Sequence, residues 1–346
     1  MLFNFAQRRK LYFLFSAAVI IPGLIAMAYL TATEGTPVKL SIDFTGGTLM
    51  EVSFVNNASE QAVRDTLAEF GFSGFIVQRL APIPADEFAG AFDEAGSRWQ
   101  LRFEDTERID ELKAFMQDPV RLGEFWSPQT VEEDPSREAA VTTTSVSATV
   151  GEEVTRAAIY ATLAVAVIVL GFIIFAFRKV PRSFRYGACA IIAMFHDILV
   201  TMGVMAILGI FFGWEVDALF LTAILTVVGY SVQDTIVVFD RIRENVPKHR
   251  DEEYDMIVNR SVLQTVHRSL ATQLNAVFVM VAILLFGGET IRHFIAILLI
   301  GLCSGTYSSI FIAVPLLVSW EKGEIPFVEG IESLVTRAAR LVMGGA

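Results

Sequence analysis

Six stretches of this chain are apolar for roughly 20 residues each, the length a helix needs to cross the hydrocarbon core of a bilayer. They cover residues 11–30, 157–177, 186–212, 218–239, 269–286 and 294–320. Such a pattern leaves few ways to fold. Backbone polar groups in lipid must be satisfied within each segment, so the runs become helices and the helices become a bundle. With 53% apolar and 19% charged residues in 346, the chain is also too apolar for a soluble domain. The first run follows "QRRK", and Ala26-Met27-Ala28 imitates the small-residue site of a cleaved leader. Its length exceeds the roughly 7–15 apolar residues of a leader, so it is expected to be a retained first helix.

Lys and Arg near the span ends set the orientation. Arg8, Arg9 and Lys10 precede the first run, "RKVPRSFR" joins the second and third, Arg241, Arg243, Lys248 and Arg250 follow the fourth, and Lys322, Arg337 and Arg340 follow the sixth. Six crossings place all of these on one side, which the positive-inside rule makes cytoplasmic, together with both termini. The connectors "GWEVD" and "GGETIR" fall outside.

The expected division is an N-terminus with the first helix (1–33), an extracytoplasmic domain (34–153), helices two to six (154–320) with a cytoplasmic loop over 241–268, and a cytoplasmic tail (321–346). The loop is mostly charged and reads as a helix approaching the membrane obliquely. The outer domain carries 23 acidic and 9 basic residues, a field that disfavours nucleic acid and anionic lipid as partners. Its β-branched and apolar runs, "VKLSIDF", "TLMEVSF", "GFIVQRL", "RWQLRFE" and "AAVTTTSV", alternate with helical patterns at "SEQAVRDTLAEF" and "DTERIDELKAFMQ". The fold class is therefore an α-helical membrane protein, a six-span bundle with one α+β domain between spans one and two. The order β-β-α-β-β-α-β makes that domain ferredoxin-like.

Cys189 and Cys303 both lie in apolar runs and give neither a disulfide framework nor a Cys-x-x-Cys metal site, and His196, His249, His267 and His293 lack ligand spacing. No metal or cofactor is expected.

The chemistry concentrates in "GYSVQDTIVVFDRIREN", where Asp234 stands inside the fourth span. A carboxylate in the hydrocarbon costs about 2.5–3.5 kcal/mol on insertion scales, so such residues line polar pathways. The basic end of that helix starts at Arg241, which places Asp234 about 10 Å inside it at 1.5 Å per residue. The fifth helix enters from the same side through "SVLQTVHRSLATQLNAV", and a start near Ser261 puts Arg268 at a similar depth. Arg268 is thus the expected counter-charge. A neighbouring arginine and removal from water act on the carboxylate's proton affinity in opposite directions, so such a pair can switch. Ser231, Gln233 and Thr235 flank Asp234, and Thr272, Gln273 and Asn275 follow Arg268, as supporting polar groups. Asp197 is a second intramembrane carboxylate, open to a functional or a structural reading. Its neighbour His196 diverges from it by roughly 100° on a helix and need not act with it. Asp240 and Glu244 are expected to pair locally with Arg241 and Arg243. Gly301 and Gly305 permit close approach of the sixth helix, with Gly229 in the fourth, around the Asp234 level.

These segments together, "SIDFTGGT", "FHDILVTMG", "VGYSVQDTIVVFDRIREN", "HRSLATQ", "LFGG" and "IGLCSGTYSSIFIA", resemble the SecF branch of the SecD/SecF family, protein-export membrane proteins of the resistance-nodulation-division superfamily. The resemblance covers all six spans but only the opening of the outer domain. It departs at Gln233, where an asparagine is expected; both amides donate and accept. It implies a bacterial cytoplasmic (inner) membrane protein that works with SecD and the SecYEG channel on exported preprotein. The coupling ion would be the proton, used late in export, with Asp234 and Arg268 on the proton pathway. The expected cycle is that proton passage past Asp234 shifts the packing of the fourth to sixth helices and that the outer domain moves with them to pull or retain the emerging chain. SecD would supply a partner acid that this chain lacks.

Three other readings compete. A half-transporter of the same superfamily for lipids or small apolar molecules predicts an outer cleft and no dependence on SecYEG. An intramembrane aspartyl protease using Asp197 and Asp234 requires a Gly-x-Gly-Asp pattern, whereas Asp234 follows "SVQ". A purely structural subunit would not need the intramembrane charges. No enzymatic activity is expected.

Overall fold

A computed structural model describes residues 8–54, 59–69, 71, 75–80, 97–103, 109–116, 141–177, 182–287 and 289–324. Of the segments discussed above, Gln7, Phe70, Gly74, residues 104–108, Gln117, residues 139–140 and 178–181, Gly288 and the tail from residue 325 with Arg337 and Arg340 lie outside the described residues. The chain divides into two units, Leu40–Ala157 and Met1–Lys39 with Ala158–Ala346.

The smaller unit opens with a single helical turn, α2 (Ile42–Thr45), after the first span α1 (Arg9–Glu34). It continues as β1 (Gly47–Phe54), α3 (Glu60–Glu69), β2 (Phe75–Leu80), β3 (Ser97–Phe103), α4 (Ile109–Met116) and β4 (Val141–Val146). The sheet order is β2-β3-β1-β4 with every neighbour antiparallel, the split β-α-β arrangement of the ferredoxin-like class. Alternation along the strands explains which face is covered. Met50 and Val52 on β1 stand opposite Leu101 and Trp99 on β3; all four are buried, together with Val77, Val63 and Leu67 of α3 and Leu112 of α4.

The strand expected over residues 38–44 does not form. Only Leu40 makes an isolated bridge, and the chain then turns into α2 because the Ser41 hydroxyl accepts from the Asp43 amide at 3.2 Å, a local cap that competes with strand pairing. The two glycines that follow have φ of 71° and 113°. Gly46, with ψ at −179°, occupies a region essentially closed to residues with a Cβ. A Cβ on Gly151 would lie 2.5 Å from the Phe44 carbonyl oxygen, so this turn is also packed from outside. Gly46→Ala is expected to destabilise the unit by about 1–3 kcal/mol, read as a lowered midpoint in thermal unfolding of the full chain.

Among the described residues, six helices are long and apolar enough to cross a membrane: Arg9–Glu34, Val150–Ala176, Phe184–Phe212, Ala218–Lys248, Tyr254–Phe286 and Ile291–Glu321. Beyond α1, the elements are α5 (Ala148–Ala176), α6 (Ser183–Phe212), α7 (Ala218–Asn245), α8 (Tyr254–Phe286) and α9 (Glu289–Ser308). α9 passes through a π-helical turn, Ser309–Ala313, into α10 (Val314–Glu321). Asp217 starts α7 by accepting from the Phe220 amide at 2.8 Å. Most of residues 241–268 is helix: α7 runs on into a 3-10 turn at Val246–Lys248, and α8 begins at Tyr254. Asn245 joins the two helices, donating to Ser261 Oγ and Gln264 Oε1 at 2.9 Å each.

The bundle core gathers Phe177, Tyr186, Met194, Phe239, Ile242, Val258, Leu317 and Trp320. Large apolar side chains on α1 and α5, including Leu14, Ile25, Leu163, Val167, Ile168 and Phe172, are exposed. On helices that span a bilayer this surface faces lipid or another subunit. At one end Glu321 pairs with Arg182 and Arg185 at 3.1 Å each, Lys322 with Asp255 at 2.5 Å, and Arg9 with Glu324. Asp240 pairs with Arg243 at 2.5 Å and Glu244 with Arg241 at 2.7 Å, the local pairing expected for both acids.

Candidate functional site

Asp234 and Asp197 place carboxyl groups in the buried interior of the bundle. Asp234 lies on the buried face of α7, and its Oδ2 accepts from Gln273 Nε2 of α8 at 2.6 Å. Ser269, one turn before Gln273 and also buried, lies beside the same carboxylate without closing a regular hydrogen bond. Gln273 Oε1 is buried and has no donor among the described residues.

The expected contact between Asp234 and Arg268 is absent from this structure. The inward stripe of α8 runs through Ser261, Thr265, Ser269 and Gln273, at helical spacing, and Arg268 stands about 100° away from Ser269. Arg268 is exposed, and its backbone carbonyl accepts from Thr272 Oγ1 at 3.0 Å. Depth was the basis for pairing Arg268 with Asp234, but depth does not fix rotation about the helix axis. Gln233, Thr272 and Asn275 are exposed as well, so they do not surround Asp234. Thr235 is buried and donates to the Ser231 carbonyl at 2.9 Å.

Ser231 serves the other carboxylate. Asp197, on α6, is fully buried and accepts from three serine hydroxyls: Ser231 of α7 at 2.6 Å, and Ser304 and Ser308 of α9 at 2.7 and 2.6 Å. His196 Nδ1 lies 3.1 Å from Asp197 Oδ1, and its Nε2 lies 3.0 Å from Ser16 Oγ of α1. The neighbours therefore do meet: the 100° divergence of their Cβ atoms is bridged by the reach of the imidazole. Asp197 thus ties its own helix to α7 and α9, His196 adds α1, and these donors offset the cost of burying the carboxyl group. Ser304 and Ser308 repeat at the same spacing as Gly301 and Gly305, so one face of α9 reads Gly-Ser-Gly-Ser at i, i+3, i+4 and i+7; that stripe in "GLCSGTYSS" was the available signal.

The glycines explain how α7 and α9 come close enough. A Cβ on Gly301 would stand 2.2 Å from Val227 Cγ2, and one on Gly305 3.2 Å from Ser231 Cβ. Gly229 is not part of this contact: it is exposed, with open space where a Cβ would go. Sequence reading also missed Gly23 of α1 and Gly203 of α6, whose backbones touch; a Cβ on Gly23 would lie 2.7 Å from Gly203 Cα. Gly301→Val is expected to cost about 1–3 kcal/mol through overpacking, and Gly229→Ala close to nothing, in the same thermal unfolding measurement.

Fold and site together define a multi-pass membrane protein that keeps ionisable groups inside its bundle, at helix–helix contacts where lipid cannot reach them. Residues 129–323 match the family described as protein export membrane protein SecD/SecF, C-terminal, and residues 35–58 match the SecD/SecF GG motif. The chain belongs to the SecD/SecF family of protein export membrane proteins. It is 43% identical over 326 residues to the protein translocase subunit SecF of Anaerolinea thermophila, covering 93% of this chain and 95% of that one. It is 31% identical over 325 residues to the protein translocase subunit SecDF of Bacillus subtilis, covering 93% of this chain and 38% of the relative. The crystal structure of SecDF from Thermus thermophilus, a translocon-associated membrane protein, superposes with a TM-score of 0.72 at 27% identity, over 93% of this chain. The present chain spans 39% of the length of that SecDF chain. The GG match falls on the Gly46-Gly47 turn described above.

Proposed function

We propose that this chain is the SecF-type subunit of a bacterial protein translocase, working with SecD and the SecYEG channel to use the proton-motive force late in export of a preprotein. The single observation that carries the reading is Asp234, a carboxylate buried in a membrane helix and held by one amide side chain, in a member of this family. That amide suits a group that gains and loses a proton. When Asp234 is ionised, Gln273 Nε2 donates to it; when Asp234 is a carboxylic acid, its hydroxyl has the Gln273 Oε1 to donate to once the amide turns over. Both states can be satisfied without exposing the site.

The distribution of Lys and Arg supports placement in the inner membrane with both termini cytoplasmic and the smaller unit outside. Gln233, Arg268 and Asn275 are polar yet exposed within apolar stretches of α7 and α8, where lipid offers no partners. A subunit with polar side chains at that depth satisfies them, and SecD is the subunit we assign to that surface. In this reading Arg268 acts on the proton pathway across the interface with SecD, not through direct contact with Asp234. The chain acts as a coupling subunit, not as an enzyme.

Inner-membrane vesicles with and without the chain test this. Export of a preprotein should be stimulated by a proton gradient only when the chain is present with SecD, and an uncoupler should remove the stimulation. Copurification with SecD and SecYEG is expected; export of a lipid without dependence on the channel would favour a half-transporter instead.

A further inference from the structure

We propose that His196 and Asp197 form a second proton-holding site of the bundle, separate from Asp234, and that Ser16 and Tyr307 connect it to the end of α1 that carries Arg8 and Arg9. The site adds to the proton-coupled reading above, but the geometry that supports it stands without that reading.

The observation is a row of polar groups that leads out of the buried core. From the fully buried Asp197 it passes to His196 Nδ1 at 3.1 Å, and from His196 Nε2 to Ser16 Oγ at 3.0 Å. The Ser16 side chain lies near the Tyr307 hydroxyl, and Tyr307 Oη donates to the Tyr12 carbonyl at 2.9 Å, near the start of α1. Burial falls along this path: Asp197, His196 and Ser16 are buried, whereas Tyr307 and Tyr12 are only half-buried. The rings of Tyr307 and His196 lie nearly parallel with centroids 6.3 Å apart, and Phe311 stacks on Tyr307 at 5.1 Å, which holds the relay in place.

The donor pattern assigns the imidazole's starting state. Asp197 already accepts from Ser231, Ser304 and Ser308, as an ionised carboxylate does, so His196 Nδ1 carries hydrogen and Nε2 accepts from Ser16. The half-buried Tyr307 hydroxyl turns from the Tyr12 carbonyl and passes its hydrogen to Ser16 Oγ as the serine's own hydrogen moves to Nε2, and a proton from the aqueous side restores the phenol. The products are an imidazolium beside the Asp197 carboxylate and a Ser16 hydroxyl that now accepts from Nε2 and donates to Tyr307 Oη. No bond to carbon changes, every group keeps a partner, and the site passes from a net charge of −1 to zero. Reversal returns the proton by the same path. The titratable groups beside His196 are Asp197 on its own helix and Tyr307 on α9, with Tyr12 of α1 next to Tyr307. α7 presents Ser231 and, one turn along, Asp234. No Lys, Arg or Glu hydrogen-bonds this set among the described residues.

A hub that only holds helices together needs no route by which protons reach the ring, so the test reads the ring itself and its exchange with water. The full chain, labelled with 15N-histidine and placed in lipid nanodiscs, is followed by NMR from about pH 9 to about pH 5, bracketing the ordinary histidine range. The His196 resonances are identified by their loss in His196→Gln. The expected result is conversion from the Nδ1–H form to the doubly protonated ring. Tyr307→Phe, which keeps the ring stacking, should slow exchange of the Nε2 proton with water by about tenfold or more. A single unchanged form across the range, or exchange indifferent to Tyr307→Phe, overturns the proposal. Neither readout uses export, so failure of the translocase reading and failure of this site remain distinguishable.

Discussion

Asp197→Ala is expected to unfold the bundle at temperatures where the unaltered chain is intact, a loss of about 3–5 kcal/mol. The substitution removes the acceptor shared by Ser231, Ser304, Ser308 and His196, and buried donors left without partners cost about 1–3 kcal/mol each. Because these donors come from three helices, with Ser16 of α1 attached through His196, the damage should appear as loss of cooperative unfolding and not as local fraying. Asp197→Asn keeps one carbonyl oxygen and should lose about half as much or less. Intrinsic fluorescence during heating of the purified full chain measures both, and an Asp197→Ala variant as stable as wild type would show that the four contacts do not hold the bundle.

Arg268→Gln should have the opposite profile. Its side chain is exposed, and surface substitutions away from packed features usually stay within about 0.5 kcal/mol, so unfolding should barely change. Gradient-stimulated export in vesicles should nevertheless fall to the level seen without a gradient, because the charge belongs to the surface assigned to SecD. Normal export would remove Arg268 from the coupling pathway. A large loss of stability would instead place it inside the fold.

Much of the architecture was legible because a bilayer leaves few alternatives. Apolar runs of sufficient length can only be helices, and the strands after Gly47 alternate in a way that fits one covered face. Residues 38–44 were misleading because their β-branched composition is overridden by a serine cap and two glycines with positive φ. Within the site, an intramembrane carboxylate announces itself in the sequence, and both Asp197 and Asp234 are buried. The partners were harder to read. Spacing from a helix end estimates depth, yet a single residue's rotation separates the inward Ser269 from the outward Arg268. Glycine spacing found Gly301 and Gly305 but not Gly23 against Gly203, since a lone glycine in each of two distant helices carries no pattern until the helices are seen to cross.

The central claim is that Asp234 couples proton movement to export, and Asp234→Asn tests it most directly, removing the titratable group while keeping its shape and a hydrogen-bonding carbonyl for Gln273. In inner-membrane vesicles carrying this variant together with SecD and the channel, the account predicts ordinary assembly and ordinary export without a gradient, but no stimulation when a proton gradient is imposed. Stimulation equal to wild type, with the variant present at wild-type levels, would contradict it.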